Sequence, residues 1–380
     1  MKTTWRFLFA FALLPVGSAA QAAGYLDGSM RSPASFDEAL GIGQVKQVSM
    51  LEPEPAEPTA AAASTAAASS CCGSIGDCCG DSCADPCCGD LCNACCGPTW
   101  TVRTGAVILE RARPRRQRVI EDRTGGTAGD GFTDIFDFGF EGGPDITITR
   151  WLRNGNGIEV RYFGALDWND QATWTSANGW AIPTNPPRMG VGVANIDANY
   201  RSSLDSTEIN YRQAPNQSIS YLVGFRWIEL SEDLDVNANF GSNQATVGWD
   251  TNNHLYGAQT GAEVNLFDRG GPFTALAWFK GGLFGNDADN NFSLVQAVGP
   301  DVEFTDETGR LAFVGDIAFT GSYQLTNNMA LRSGYQLLFI DGVALASEQI
   351  FATNVLTGQG VDPSGFAFYH GAMLSLDFVW

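Results

Sequence analysis

The chain has 380 residues, 44 of them glycine, with 11% aromatic residues, 17% charged residues and a net charge of −20. The acidic excess excludes a phosphate-backbone partner, which needs Lys and Arg in surplus, so no nucleic acid is expected. Frequent glycines and aromatics with few charges suit a sheet that has one apolar face and many turns, rather than a helical enzyme.

Residues 1–22 read as a secretory signal peptide. Lys2 and Arg6 lead an apolar run from Phe7 to Val16, and Ala20-Gln21-Ala22 offers a small-residue cleavage pattern. The run is shorter than the ~20 residues of a spanning helix. Residues 23–70 form a spacer, with "LEPEPAEPTAAAASTAAASS" offering nothing to bury.

Residues 71–99 hold all ten cysteines: Cys71, Cys72, Cys78, Cys79, Cys83, Cys87, Cys88, Cys92, Cys95 and Cys96. Cys78-Cys79-Gly80-Asp81 recurs as Cys87-Cys88-Gly89-Asp90, so the segment is an imperfect repeat separate from the main fold. In an oxidising compartment these thiols become disulfides, within the segment or to other Cys-bearing envelope proteins. The competing reading, soft-metal thiolates, has no histidine in the segment to help it, and no metal site or cofactor is expected.

Residues 100–380 alternate as strands, and the pattern predicts ten: 100–110, 144–152, 157–168, 205–213, 218–230, 252–267, 272–285, 310–325, 328–341 and 366–380. In "LAFVGDIAFTGSYQL", Leu311, Phe313, Ile317, Phe319, Tyr323 and Leu325 share one face, opposite Ala312, Asp316, Thr320, Ser322 and Gln324. Short links alternate with long ones (111–143, 169–204, 231–251, 286–309 and 342–365), and outer-membrane barrels pair short periplasmic turns with long outer loops in this way. The predicted fold is therefore all-β: a transmembrane antiparallel up-and-down barrel of ten strands behind an N-terminal extension without core residues. Twelve strands are an alternative, since "FTDIFDFGF" and "VGVANIDANY" lie within two of the long links.

The last strand carries Ala372, Leu374, Leu376, Phe378 and Trp380 on one face. That pattern resembles the C-terminal β-signal read by the barrel-assembly machinery of Gram-negative bacteria, which implies insertion into the bacterial outer membrane. The lipid bilayer and that machinery are the expected partners.

With the more apolar face of each strand turned to lipid, the inward set includes Arg103, Glu159, Arg161, Glu208, Arg212, Arg226, Glu263, Asp316, Arg332 and Asp377. A ten-stranded lumen is only slightly wider than one that side chains fill, so these charges are expected to pair and plug it. The rival reading makes them a selectivity ring in a small pore. Tyr162, Trp168, Tyr221, Trp227, Trp278, Phe339 and Phe366 are expected to face lipid as aromatic girdles.

Enzymatic readings have little to rest on. The two histidines, His254 and His370, fall near the outer ends of strands, and Ser375 or Asp341 is the nearest imaginable partner for a rim hydrolase. "SEDLDVNANFGSNQ" and "GNDADNNFSL" read as acidic outer loops that lack the Gly and Glu positions of an EF-hand.

Several stretches occur in order that carry a family resemblance: "TWTVRTGAVILERARP", "GIEVRYFGALDWN", "YLVGFRWIELSEDL", "DTNNHLYGAQTGAEVNLFDRGGPF" and "GYQLLFIDGVALASEQI". Over residues 100–380 the chain resembles the planctomycete outer-membrane barrel family known as beta-barrel protein seven. The resemblance implies an outer-membrane barrel with no transferable active site, and the Cys-rich segment is similar to the cysteine-bearing proteins of planctomycete envelopes. The expected role is structural, in the cell envelope. A small porin-like channel is the alternative and a rim hydrolase a distant third.

Overall fold

A computed structural model describes residues 100–380, apart from 123–128, 153–154, 177–178, 191–193, 216–217, 242 and 298. The expected signal peptide, spacer and Cys-rich segment, with all ten cysteines, lie outside the described residues. In chain order the strands are β1 (Trp100–Arg111), β2 (Arg118–Asp122), β3 (Gly131–Phe132), β4 (Phe140–Trp151), β5 (Asn156–Ser176), β6 (Trp180–Ile182) and β7 (Arg188–Gly190). There follow β8 (Ala194–Gln213), β9 (Ile219–Phe240), β10 (Asn243–Asp268), β11 (Phe273–Gln296), β12 (Val302–Thr326), β13 (Met329–Val343) and β14 (Gly365–Val379), with one helix, α1 (Ala346–Ala352), between the last two.

Ten of these strands close a barrel in the order β1-β14-β13-β12-β11-β10-β9-β8-β5-β4, every barrel pair antiparallel. The seam runs from Thr101 opposite Val379 to Arg111 opposite Tyr369. Beyond it, Trp100 and Trp380 exchange backbone hydrogen bonds of 2.9 and 3.1 Å. This is the architecture of outer-membrane barrels, and the twelve-stranded alternative is excluded. Of its two extra segments, Gly131–Phe132 joins a separate four-stranded sheet, β3-β2-β6-β7, and Ala194–Tyr200 is the far end of β8.

The larger correction concerns strand length. β9 to β12 run for 22, 26, 24 and 25 residues, against the ~9–11 that cross a bilayer. Both presumed acidic loops are therefore strand: Ser231–Phe240 extends β9, and Gly285–Leu294 lies within β11. Their alternation is genuine but inverted. Near the short turns the outward residues are apolar, as with Tyr256 and Leu266 on β10 or Phe273 and Phe279 on β11, each at least 40% exposed. Farther along, Asp233, Asp235, Asp250 and Asn252 point outward while Leu234, Val236, Val247 and Trp249 are buried inside. An apolar outer face suits lipid and a polar one suits water, so the inversion marks where the sheet leaves the bilayer.

Bulges reset the alternation locally. Between Phe163 and Leu166 the β5–β8 register shifts, with Ala165 at φ 53°. The shift swaps the faces beyond it and turns Trp168 inward, where it is fully buried and donates to the Leu109 carbonyl at 3.1 Å. Trp168 is thus not a girdle residue. A second bulge, between Asp341 and Val343, has Gly342 at φ 87°. A Cβ there would lie 2.9 Å from the Leu311 carbonyl, so the bend that turns the chain inward after β13 requires glycine.

On the extension, Asp233 faces Asp250 across the β9–β10 pair and Arg201 across the β8–β9 pair. Partial burial, then repulsion from Asp235 and Asp250, pushes its carboxyl up to about 6 despite Arg201. An acid whose pKa is raised on folding destabilises the fold once ionised. The penalty is absent below the unfolded value of ~4 and complete above about 6. Asp233→Asn should therefore match the parent in thermal midpoint at pH 4 and exceed it by pH 7, the gap opening between those values; a gap independent of pH would contradict this origin.

Candidate functional site

Among the described residues, charged side chains converge in number in the interior of the barrel, which is filled in layers. Nearest the short turns, Arg103 on β1 and Arg332 on β13 share Asp377 on β14 through contacts of 3.1, 2.9 and 2.8 Å. Beside them Arg212 bridges Glu159 at 2.6 Å and Glu263 at 3.1 Å.

The middle layer is fully enclosed. Arg161 grips both oxygens of Asp145 at 2.9 and 3.0 Å, and Arg226 donates to Asp316 at 3.0 Å and to Ser206 at 2.9 Å. Glu208 lies between the two arginines because the ladder places it opposite Arg161 on one side and Arg226 on the other. It accepts from Lys280 at 2.6 Å and from Gln259 at 2.7 Å. Gln336 closes the ring, donating to Asp316 at 2.8 Å and accepting from Arg161 at 3.3 Å. Beside Arg103, Glu159, Arg161 and Lys280 there remains a space of only about 20 Å³, on the order of one water.

All ten charged residues singled out from the sequence face this interior. Two that were not, Asp145 and Lys280, complete it at six cations and six carboxylates among the described residues. Strand parity could have found both. Asp145 shares a face with Thr147 and Thr149, all buried. Lys280 was obscured by the placement of Trp278 on lipid. Trp278 instead faces inward, with Lys280 at 4.8 Å and Arg161 at 5.3 Å from its ring. The outward face beside it is made of small residues, Ala275, Ala277 and Gly281 around Phe279, so apolar bulk misidentifies the lipid side of β11.

Above the charges lies an apolar layer that includes Leu109, Phe163, Trp168, Leu230, Phe284 and Leu338. Beyond it, the segment after Gly342 lies inside the mouth. Asn253 binds both polar atoms of the Ala344 backbone, at 2.8 and 2.6 Å, and Asn286 donates to the Gly342 carbonyl at 3.0 Å. Trp249 donates to Thr353 at 2.9 Å, and Asn290 donates to the Gly360 carbonyl at 3.0 Å. Glu232 accepts from the Ala346 amide at 3.0 Å, from Tyr200 at 2.5 Å and from Arg111. This layer was not anticipated, because Glu232, Trp249 and Asn290 were placed in loops and Arg111 at the edge of one.

The other singled-out residues lie on the outer face. Ala372, Leu374, Leu376, Phe378 and Trp380 share the outward side of β14, with Leu374 and Trp380 more than half exposed. His370 also points outward, among Phe140, Phe368 and Tyr335, and its Nδ1 lies 2.8 Å from the Tyr335 hydroxyl. Ser375 faces the lumen and Asp341 the exterior, so the imagined rim constellation is not assembled.

No family model matches the chain, and no curated protein matches it. Among solved structures it is similar to the outer membrane protease OmpT from Escherichia coli, at 10% identity and a TM-score of 0.42 over 74% of this chain and 97% of that one. The Pseudomonas putida toluene transporter TodX is 8% identical over 76% of this chain and 92% of that one, with a TM-score of 0.28. An anion-selective porin from Comamonas acidovorans is 10% identical over 74% and 100%, with a TM-score of 0.16. At these scores none of the three bears on what this chain does.

Removing one partner of a buried ion pair strands the other charge, whereas replacing both by apolar groups is close to neutral. Arg226→Met should lower the urea-unfolding free energy by about 3–5 kcal/mol, and Arg226→Met with Asp316→Leu should recover most of that loss. Equal loss in the single and double variants would mean that the pair is not what the middle layer depends on.

Proposed function

We propose that the chain is a structural protein of a bacterial outer membrane, closed to solutes, that holds a polar sheet extension and its loops above the bilayer. The observation that carries this reading is the filled interior: among the described residues, charge layer, apolar layer and inward segment succeed one another along the barrel. In this orientation the short turns face the periplasm and the long strand ends face outward. The outward face of β14 supplies the surface that the assembly machinery reads.

The reading is non-enzymatic, supported by the outward position of both histidines and by the pairing of the lumen charges with one another. The ten cysteines would tie the barrel to other envelope proteins. The expected sign is higher-mass species on a non-reducing gel that collapse under reductant.

Planar-bilayer recording of the folded full chain tests the closed lumen. Wild-type protein should be silent, and so should a variant with residues 344–355 replaced by a Gly-Ser linker, because the charge layer remains. Discrete conductance from the wild type would overturn the reading in favour of a channel.

A further inference from the structure

At the loop end, a cleft of about 330 Å³ opens between the segment after β1 and the inward segment. Arg115 and Gln117 line one side, and Glu348, Phe351, Asp362 and Ser364 the other. Its volume is in the range of small-molecule sites. Glu348, on α1, is only 8% exposed, and among the described residues its carboxylate accepts no hydrogen bond; it is held by one long ion pair, to Nη1 of Arg115 at 4.0 Å, on a side chain that is 72% exposed. The residue is buried but its carboxylate oxygens open onto the cleft, where a charge with so few partners favours an added donor.

Asp362, on the same side as Glu348, is held in place. Gln349 accepts from the Asp362 amide at 2.7 Å and donates to the Asp362 carbonyl at 2.9 Å, and among the described residues the Asp362 carboxylate accepts the Ser364 amide alone, at 3.0 Å. Burial, with Asp362 as an added repulsion, raises the pKa of Glu348 against the opposing pull of Arg115. The cleft thus presents two acids to one loosely held arginine.

We infer that this cleft binds a small organic cation, an ammonium or guanidinium group donating to Glu348 and Asp362 with its alkyl stem against Phe351. Arg115 is the resident competitor that such a ligand displaces. An inorganic cation fits less well: calcium takes six to eight oxygens, this cleft is walled on one side by Phe351 and Ala352, and among the described residues no group of three or more His, Cys, Asp or Glu is placed to hold a metal.

The test is isothermal titration calorimetry of the folded full chain in detergent micelles, with agmatine as the probe and calcium as the comparison. The gel shift between unheated and boiled samples verifies folding of each variant. Agmatine should bind saturably. Glu348→Gln should weaken it by at least about tenfold, Asp362→Asn should weaken it less, and Arg115→Ala should tighten it by removing the competitor. Glu307→Gln, at an exposed acid on β12, should change nothing, which separates the site from general attraction to an acidic protein. If Glu348→Gln does not fold, Asp362→Asn and Arg115→Ala, at more exposed residues, decide the question. The inference is overturned by the absence of saturable heat in both the parent and Arg115→Ala, by agmatine binding indifferent to Glu348 and Asp362, by weaker binding in Arg115→Ala, or by calcium binding there in place of agmatine.

Discussion

A strand inside a bilayer has no water to satisfy its backbone, so each N–H and C=O must find a partner on the next strand and the sheet must end where it began. Here the requirement is met at the seam between β1 and β14, where eleven residue pairs run from Thr101 and Val379 to Arg111 and Tyr369. Closing at ten strands settles the bore, which is too narrow for a broad aqueous channel and wide enough to demand filling. The contents of the barrel follow from that demand.

The lower half is filled with charges that compensate one another. Short polar groups would stay near the wall, whereas Arg161 reaches Gln336 on β13, Arg226 reaches Asp316 on β12 and Lys280 reaches Glu208 on β8, each several strands away, while Arg212 pairs nearer by with Glu159 on β5. Because six cations and six carboxylates cancel there, the lumen contributes nothing to the net charge of −20. Part of the acidic excess lies instead on the outer face of the extension, at Asp233, Asp235, Asp250 and Asp289, where water solvates it.

The upper half solves the same problem with the polarity reversed. Its inner face is apolar and its outer face polar, so it needs something to cover the inside, and the segment after Gly342 folds back to do so. A backbone entering such a core brings its own polar groups. Asn253, Asn286 and Asn290 answer them with amide side chains of the same chemistry, and Glu232 takes the first amide of α1. The barrel therefore behaves as two sheets in series, one made for lipid and one for water, sharing the same strands.

Ten strands, their antiparallel order, the position of the short turns, the outward face of β14 and ten of the charged lumen residues were all legible in the sequence. Each rests on a local period of two, and a strand with one face in lipid and the other in a charged interior displays that period strongly. What was not legible depends on which side of the sheet is apolar at a given height. Beyond the bilayer the polar face turns outward, so Ser231–Phe240 and Gly285–Leu294 looked like loops although they alternate as regularly as the rest. Trp168 was misplaced by a bulge that exchanges the faces, and Trp278 because its lipid-side neighbours are small. The inward segment and the Glu348 cleft arise where residues far apart in the chain meet at the mouth. The period of two along each strand is enough to imply a barrel; whether a face meets lipid, water or core follows from the height of each residue within the closed ring of strands, which no local pattern carries.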